Sequence, residues 1–421
     1  MHWRTRFPSG YLTLLIASPL ALAADDPTFS LEAAVEQALQ IAPQMSASAA
    51  RLDAAQALTT SAGRLPDPSL VIGIDNLPVN GPDAYSTTAD FMTMRKIGVA
   101  QEFPRREKRQ LQKQRAQAEV DLANAESVET RLEVARDTAQ AWIRCATAGA
   151  ALTDLRALES EVELGAAAAR AGLASGRGSS AEALAAEAAV ARLKTRILQM
   201  QSEARQAQAE LARWVGDAAS QPLAPLPAFD ELPVSAETLL TTPHLHGTIL
   251  PFEARLTEAR TDIALARADR HPDWSTEFSF AKRGPAFSDM VSLQFTVGLP
   301  LFAKTRQNPV IAARNADLKR VEAERDTEIR MHTAELQKMV IEWQQLGEQL
   351  AQYESELLPL ARERSRVSLA GYRAGRSDLR LSLEAFQDEV NLLVDRAALQ
   401  NERGRAWAFL RYLQDQPRSA P

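Results

Sequence analysis

The sequence predicts a mainly α-helical fold made of two tandem repeats, each a long antiparallel helical hairpin carrying a β-hairpin. Three observations support this fold class. Landmark segments recur about 200 residues apart, two helical stretches are each close to 69 residues long, and alternating apolar strands precede both stretches. Ala, Glu, Gln, Arg and Leu dominate and aromatic residues make up only 6%, a composition typical of long helices.

The repeat is visible in three paired segments. The stretch AGRLPD at 62–67 is matched by ADRHPD at 268–273, Phe103-Pro104 by Leu299-Pro300, and GLASGR at 172–177 by GYRAGR at 371–376. Such self-similarity indicates that one supersecondary unit is built twice. A Pro-rich stretch from Pro222 to Pro233 separates the two units and is typical of a linker.

Each repeat has the same predicted order of elements: a helix, a Pro-Asp turn, two strands, a long helix and a return helix. The clearest strand alternates apolar Val291, Leu293, Phe295, Val297 and Leu299 with Ser292, Gln294, Thr296 and Gly298. This alternation predicts one apolar and one wet face. Pro104 and Pro300 are predicted strand-to-helix junctions, because proline ends a ladder but suits a first helical turn.

The predicted boundaries divide the chain into five segments. These are a signal peptide over 1–23, a first repeat over 24–221, a linker over 222–236, a second repeat over 237–415 and a tail over 416–421. In the first repeat we expect strands at about 69–77 and 94–103, a long helix at about 105–173 and a return helix at about 179–215. In the second we expect strands at about 274–281 and 290–299, a long helix at about 304–372 and a return helix at about 377–413.

The N-terminus and the composition restrict the class of protein. Arg4 and Arg6 precede an apolar run over 11–22 that ends in small residues, which predicts a secretory signal cut after Ala23. No later segment has the roughly 18 consecutive apolar residues of a membrane helix. The single cysteine, Cys145, forbids an internal disulfide and is interpreted as a packing residue. A net charge of -6 does not favour nucleic acid as a partner.

The strands nevertheless predict a membrane protein. Four strands with one apolar face leave two edges unpaired, and inside a bilayer an unpaired edge finds no water. Three copies of the chain would supply twelve strands, an even number suited to a closed membrane β-barrel. Strands of eight to ten residues also match the roughly 9–11 residues of a tilted membrane strand.

Together, the repeat, the strand–proline–helix junctions and the two Gly-containing turns resemble the TolC-like outer-membrane factors, the exit ducts of tripartite efflux pumps. The resemblance extends from about residue 29 to 413. Within the family, the stretches PDPSLVIGIDNLP, MRKIGVAQEFP and GYRAGRSDLRLSLEA are similar to the heavy-metal efflux branch. The resemblance implies a homotrimer in outer-membrane lipid, with a 12-stranded β-barrel continuous with an α-helical barrel in the periplasm. It also implies a periplasmic adaptor (membrane fusion protein) and an inner-membrane transporter of the resistance–nodulation–division class as partners.

The resemblance further implies two sites at the ends of the helical hairpins. The adaptor would dock on the turns containing Gly176, Arg177, Gly375, Arg376 and Ser377. A periplasmic gate would involve Tyr372, Glu182 and Glu384. Leu381 departs from the acidic pattern of the family, so a doubled ring of carboxylates is not expected.

No cofactor, metal site or catalytic grouping is predicted. His244 and His246, and likewise Met92 and Met94, are spaced two apart, but two ligands make no closed metal site. His332 stands alone in the second long helix. Without a Gly-rich phosphate loop, a His-Glu-x-x-His motif or a Cys-His arrangement, we expect a protein that is not an enzyme. The expected cargo is heavy-metal cations, either copper and silver or cobalt, zinc and cadmium. The alternatives are the same channel exporting organic toxicants or a type I secreted protein, and a soluble periplasmic coiled-coil scaffold.

Overall fold

The computed structural model describes residues 28–415, so the predicted signal peptide and tail lie outside the described residues. The four strands are β1 (Ser69–Asp75), β2 (Met94–Phe103), β3 (Trp274–Lys282) and β4 (Met290–Val297). The helices of the first repeat are α1 (Leu31–Ile41), α2 (Pro43–Ser61), α3 (Arg106–Ala174) and α4 (Ser180–Val215). The helices of the second are α5 (Ala236–Thr241), α6 (Leu250–Ala268), α7 (Gln307–Gln352), α8 (Leu358–Arg373) and α9 (Leu379–Arg411). The predicted mainly helical fold with a tandem repeat of hairpins is confirmed.

The strands form one antiparallel sheet in the order β1-β2-β3-β4. The register aligns residues of like character across the strands, so that Leu70 faces Val99, Val99 faces Phe278 and Phe278 faces Leu293. Because side chains alternate along a strand, this register collects the apolar residues on one face of the sheet. The outer edges of β1 and β4 have no partner strand among the described residues.

The long helices pack side by side below the sheet. Helix α3 contacts α4 along the first hairpin and α9 of the second hairpin, while α9 also contacts α7 and α8. At the end near the sheet, α6 lies between α3 and α7. A 69-residue helix such as α3 is roughly 100 Å long at 1.5 Å per residue, which sets the length of the molecule.

The main hydrophobic core lies where the inter-repeat linker crosses the long helices, and it packs Phe229 of the linker with Trp142 of α3 and Trp407 of α9. We call this region the waist. Three tryptophans, each on a different long helix, donate their indole N–H to backbone carbonyls near the core. Trp142 Nε1 donates to Phe29 O at 3.0 Å, Trp343 Nε1 to Phe229 O at 2.8 Å and Trp407 Nε1 to Glu231 O at 2.8 Å. Since a buried indole needs a hydrogen-bond partner, Trp343 and Trp407 join the linker to the second repeat. Trp142 holds Phe29, whose backbone pairs with Leu223 of the linker, and so joins the linker to the first repeat.

The second long helix differs from the predicted single helix over 304–372. It begins only at Gln307, and a π turn over Tyr353–Leu357 separates α7 from α8. Both differences follow from proline. Starting at Gln307 keeps Pro309 in the first turn, where its missing N–H costs nothing. Pro359 would collide with the carbonyl of Ser355 in a regular helix, and the π turn lies where that contact would form.

Smaller differences occur at the ends of elements. The predicted junction at Pro300 is wrong in detail, because β4 ends at Val297 and a turn over 301–306 precedes α7. At Pro104 the strand does end at Phe103 and the helix begins at Arg106. Strand β1 stops at Asp75 rather than 77, and β3 extends to Lys282. The single helix predicted before the first Pro-Asp turn is two helices, since Ala42 is extended before Pro43 starts α2.

Candidate functional site

The sheet exposes a continuous apolar face. Its members are mostly more than half exposed and come from all four strands: Leu70, Ile72, Ile74, Ile97, Val99, Phe278, Phe280, Val291, Leu293, Phe295 and Val297. Such a large exposed apolar surface is rare on soluble proteins and marks contact with a membrane or a partner. We call this set the apolar face of the sheet.

The opposite face of the sheet is polar and carries paired charges. Lys96 Nζ lies 3.1 Å from Glu277 Oε1 and 3.6 Å from Asp75 Oδ2. Next to them Gly98 leaves no room for a side chain, because a Cβ would lie 2.6 Å from Ser279 Cβ. A polar face with close strand contacts, opposite an apolar one, is the pattern of a membrane barrel with a wet interior.

The junction between sheet and helices is held by one carboxylate. Asp273, just before β3, accepts a hydrogen bond from the backbone N–H of Arg105 at 2.9 Å and one from Lys108 Nζ at 3.1 Å. Phe103 stacks on Trp274 with ring centroids 4.3 Å apart. These contacts connect the start of α3 to the second repeat, immediately after Pro104.

The two predicted docking tips have matching backbone geometry. Gly176 and Gly375 have φ of 71° and 70°, a left-handed conformation that glycine adopts without strain. A Cβ on either glycine would meet nothing within 4 Å, so both turns face open space. Arg177 and Arg376 are exposed, and Ser377 is half-buried with its hydroxyl donating to Ser368 O at 3.2 Å.

The three predicted gate residues occupy different settings. Glu182 is part of the N-terminal cap of α4, where its Oε2 accepts the Ser179 N–H at 2.8 Å. The side chain of Tyr372, in the second hairpin, reaches the first tip, where its hydroxyl lies 3.8 Å from the position that a Cβ on Gly172 would occupy. Burial, and then the charges of Glu182 and Asp378, raise the pKa of Tyr372. Glu384 is exposed on α9 and pairs with Arg380 at 3.2 Å. Tyr372 and Glu182 are thus close together, and Glu384 is engaged separately.

The sequence-spaced histidines do not act as a pair. His244 is exposed, whereas His246 is fully buried and contacts His332 of α7. His332 is the only histidine of α7, as the sequence indicates, but it contacts a histidine from a distant segment. No local pattern could have revealed this contact, because the two residues lie 86 positions apart. Burial lowers the pKa of both imidazoles, to about 4 for His246.

The two methionines and the cysteine lie in separate parts of the structure. Met92 is exposed in the loop before β2 and Met94 begins that strand. Cys145 is half-buried against the waist core, and burial raises the pKa of its thiol. Within residues 28–415, no three His, Cys, Asp or Glu side chains are arranged to hold a metal ion. In the same range no helix has both the length and the apolar character to cross a membrane.

Residues 34–217 match the family model described as "Outer membrane efflux protein". The whole described chain also has the fold of solved outer-membrane channels. The channel OprN is 19% identical with a TM-score of 0.77, covering 91% of this chain and 89% of that one. The outer membrane protein VceC from Vibrio cholerae is 20% identical with a TM-score of 0.74, covering 91% and 94%. CusC is 15% identical with a TM-score of 0.76, covering 92% and 93%. No curated protein matches this sequence.

The family match lies within the first repeat, and the likeness to solved channels shows a shared fold over both repeats. Both findings agree with the predicted location, the outer membrane with the helical part in the periplasm. The prediction of a non-enzymatic protein also agrees with the match to this family model. The heavy-metal branch is not singled out, because OprN and VceC resemble the chain as closely as CusC does.

Proposed function

We propose that this protein is the outer-membrane duct of a tripartite efflux system and works as a homotrimer. The observation that carries the proposal is the four-stranded sheet, with its apolar face and two unpaired edges, joined to helices roughly 100 Å long. Three such sheets would pair edge to edge into a closed barrel, which leaves no backbone group unsatisfied in lipid. The helices would continue the conduit across the periplasm.

Membrane extraction tests the duct against the alternative of a soluble periplasmic scaffold. A barrel stays in the outer-membrane fraction through high-salt washing and is released by detergent, whereas a scaffold is released by salt. The purified protein should conduct ions in planar bilayers. Release by salt together with the absence of conductance would reject the duct.

The tips are the proposed docking surface for a periplasmic adaptor, which would connect the duct to an inner-membrane pump of the resistance–nodulation–division class. Support comes from the exposed and equivalent turns around Gly176 and Gly375, with Arg177 and Arg376 pointing away from the core. Site-specific crosslinking from Arg177 and Arg376 should capture the adaptor in cells. Crosslinks that arise equally from exposed Arg213 of α4, far from the tips, would contradict a tip-specific surface.

We propose Tyr372, Glu182 and Glu384 as the periplasmic gate. Tyr372 of the second tip approaches Gly172 of the first, so separating the tips would break this contact. Replacing the three residues by alanine should raise single-channel conductance in bilayers. The matched control is Glu187→Ala on the exposed side of α4, which should leave conductance unchanged. An unchanged conductance in the triple variant would remove these residues from the gate.

The proposed cargo is heavy-metal cations, copper and silver or cobalt, zinc and cadmium. Support comes from the resemblance of three sequence stretches to that branch. Growth of a deletion strain, with and without the restored gene, would be measured across these metals and a panel of dyes and detergents. Sensitivity to one metal group supports the proposal. Sensitivity to dyes and detergents alone would favour organic toxicants, and loss of a secreted protein would favour type I secretion.

A further inference from the structure

The turn after β4 exposes large apolar side chains although its backbone is held by hydrogen bonds. Leu301 N–H donates to Leu299 O at 2.9 Å. Thr305 N–H donates to Phe302 O at 3.1 Å. Leu299, Leu301 and Phe302 are nevertheless 66%, 75% and 69% exposed. We call residues 299–306 the apolar turn, and its uncovered side chains mark contact with something outside the chain.

The apolar turn lies at the end of the sheet where the long helices begin. Gly298 N–H donates to Asp273 O at 3.1 Å. Asp273 Oδ1 in turn accepts the Arg105 N–H at the start of α3. Leu299 continues the apolar alternation of β4 in the sequence. The apolar turn therefore adjoins the apolar face of the sheet on one side and the start of α3 on the other.

Four exposed cations at this end of the sheet take part in no ion pair within residues 28–415. We call them the basic rim, and they are Arg105, Arg106, Lys304 and Arg306. Cations further along the helices are paired instead. Lys108 Nζ lies 2.8 Å from Asp269 Oδ1, and Arg115 Nε lies 2.7 Å from an oxygen of Asp262. Pairing with carboxylates of the chain therefore stops at the row of cations next to the sheet.

The surroundings of the basic rim keep a positive balance. Segments 64–67, 102–107 and 299–306 together contain five Lys or Arg residues and three carboxylates, whereas the whole chain has a net charge of -6. Cations beside an exposed apolar surface match an anionic lipid surface, where apolar side chains enter the acyl region and cations meet phosphate. A second copy of the chain is a poorer match, because it would bring the same positive charge to the same level of the barrel.

We propose that the apolar turn and the basic rim bind anionic phospholipids in the membrane leaflet that faces the periplasm. Leu301 and Phe302 lie among the acyl chains, and the cations of the basic rim contact the headgroup phosphates. An arginine side chain can donate two parallel N–H groups to one phosphate, which suits Arg105, Arg106 and Arg306 to this contact. The inference rests on the proposed placement of the sheet in the outer membrane.

This surface fixes the depth of the barrel in the bilayer. The apolar turn is stable only at the level of the acyl chains, and the basic rim is stabilised at the level of the phosphates. Lys108 and Arg115 are neutralised by carboxylates of the chain and so need no lipid partner. The two sets of cations therefore mark the boundary between the membrane and the periplasm.

The lipid selectivity of the purified full chain tests the basic rim. In phosphatidylcholine vesicles with a trace of spin-labelled phosphatidylglycerol or phosphatidylcholine, electron paramagnetic resonance measures the fraction of each label bound to the protein. The wild type should prefer phosphatidylglycerol, and high salt should weaken this preference. One Lys or Arg near an anionic surface contributes about 1 kcal/mol, or about fivefold, so Lys304→Gln with Arg306→Gln should remove most of the preference. Lys319→Gln with Arg330→Gln, two exposed cations further along α7, is the matched control and should keep it.

A second measurement tests the apolar turn. A nitroxide attached at Phe302→Cys, in a Cys145→Ala background, should be more accessible to oxygen, which concentrates in the bilayer, than to a water-soluble nickel complex. The same label at Leu293→Cys reports on the sheet itself. If the label at 293 is accessible to oxygen and the label at 302 is not, this inference fails while the duct stands. If neither label is accessible to oxygen, the proposed placement of the sheet fails as well.

Four results would overturn the lipid surface. The first two are equal binding of both spin-labelled lipids by the wild type and an equal loss of preference in the control double variant. The third is removal of the preference by inorganic phosphate at constant ionic strength, which would make the basic rim a site for free phosphate. The fourth is a label at 302 that neither reagent reaches, which would show that another copy of the chain covers the apolar turn. The wild-type measurement decides the question even where a variant does not fold.

Discussion

The two repeats share their landmarks but differ in the interior of their helical hairpins. In the first, α3 runs for 69 residues without interruption, and its buried residues near the tip are Val162, Gly165, Ala166 and Ala169. In the second, a π turn divides α7 from α8, and the buried residues of α8 and α9 include Ser365, Ser382 and Glu389. The two repeats therefore share the order of their elements and the geometry of their tips, but different residues are buried inside their hairpins.

This difference indicates which hairpin opens more easily. Ser382 Oγ is buried without a hydrogen-bond partner, and burial raises the pKa of Glu389, which lies beside the buried Ser365. Buried polar groups of this kind lower local stability, and moving elements are drawn from the less stable parts of a protein. We expect backbone amides of α8 and α9 to exchange hydrogen faster than those of α3 and α4.

The largest expected effect comes from weakening the first hairpin. Leu155 of α3 is 0% exposed and packs in the core shared with Leu393. Leu155→Ala should lower the free energy of local opening by about 2–5 kcal/mol, because it leaves a cavity. Hydrogen exchange of α3 should then approach that of α8. Leu164→Ala, which is 53% exposed in the wild type, is the control and should change little. If α3 stays slow, the packing of this core does not set the difference.

The π turn provides the next test. Pro359 prevents a regular helix across 353–359. Replacing a proline by alanine in a helix interior stabilises the helix by up to about 3 kcal/mol. Pro359→Ala should slow hydrogen exchange between Tyr353 and Leu358 and reduce the difference between the hairpins. Pro309→Ala is the matched control, since Pro309 lies in the first turn of α7, where little gain is expected. Equal effects of the two substitutions would show that the π turn carries no special weakness.

Much of this architecture is predictable from sequence because it depends on patterns within one segment. Alternation in Val291–Val297 and the Gly-containing turns at 176 and 375 sufficed to place strands and tips to within a few residues. The errors occurred at proline. The predicted junction at Pro300 differs from the structure because the constraint on helix entry comes from Pro309, and Pro359 interrupts the single helix predicted over 304–372.

Features that join distant segments were not predictable. The contact between His246 and His332, and the indole hydrogen bonds of Trp343 and Trp407 to the linker, depend on how helices are arranged around the waist. Sequence spacing favoured His244 as the partner of His246, yet the short helical turn over Pro243–Leu245 leaves His244 exposed. A single sequence holds no signal for such pairs.

Glu389 predicts how the comparison depends on pH. Its raised pKa means that the folded chain keeps the Glu389 proton at pH values where the unfolded chain, with an ordinary value of 4.5, has lost it. Its contribution to stability is thus full below pH 4.5 and is lost as pH rises through the folded pKa. At neutral pH, Glu389→Gln should raise the free energy of local opening of α9 by roughly 1–3 kcal/mol, so that its amides exchange more slowly. At pH 4 the substitution should not change the exchange rate. Exposed Glu187→Gln is the control, and a gain independent of pH would contradict this role.

The smallest effects are expected at the helix caps of the tips. In the first tip, Ser179 Oγ accepts the Glu182 N–H at 3.2 Å and Glu182 Oε2 accepts the Ser179 N–H at 2.8 Å. In the second, Asp378 Oδ1 accepts only the Arg380 N–H at 2.9 Å. Ser179→Ala and Asp378→Ala should each cost about 1 kcal/mol of local stability, measured by exchange in the first turns of α4 and α9.

These cap variants also sharpen the gate test. If Glu182 acts as a gate carboxylate, Glu182→Ala should raise conductance more than Ser179→Ala, although both break the same reciprocal cap. Equal conductance in the two variants would show that Glu182 acts by holding the end of α4 in place. Asp378→Ala extends the comparison to the second tip, where Asp378 also contributes to the raised pKa of Tyr372. If conductance rises in Asp378→Ala and not in the other cap variants, then the second tip, whose cap has a single hydrogen bond, is the tip that opens first.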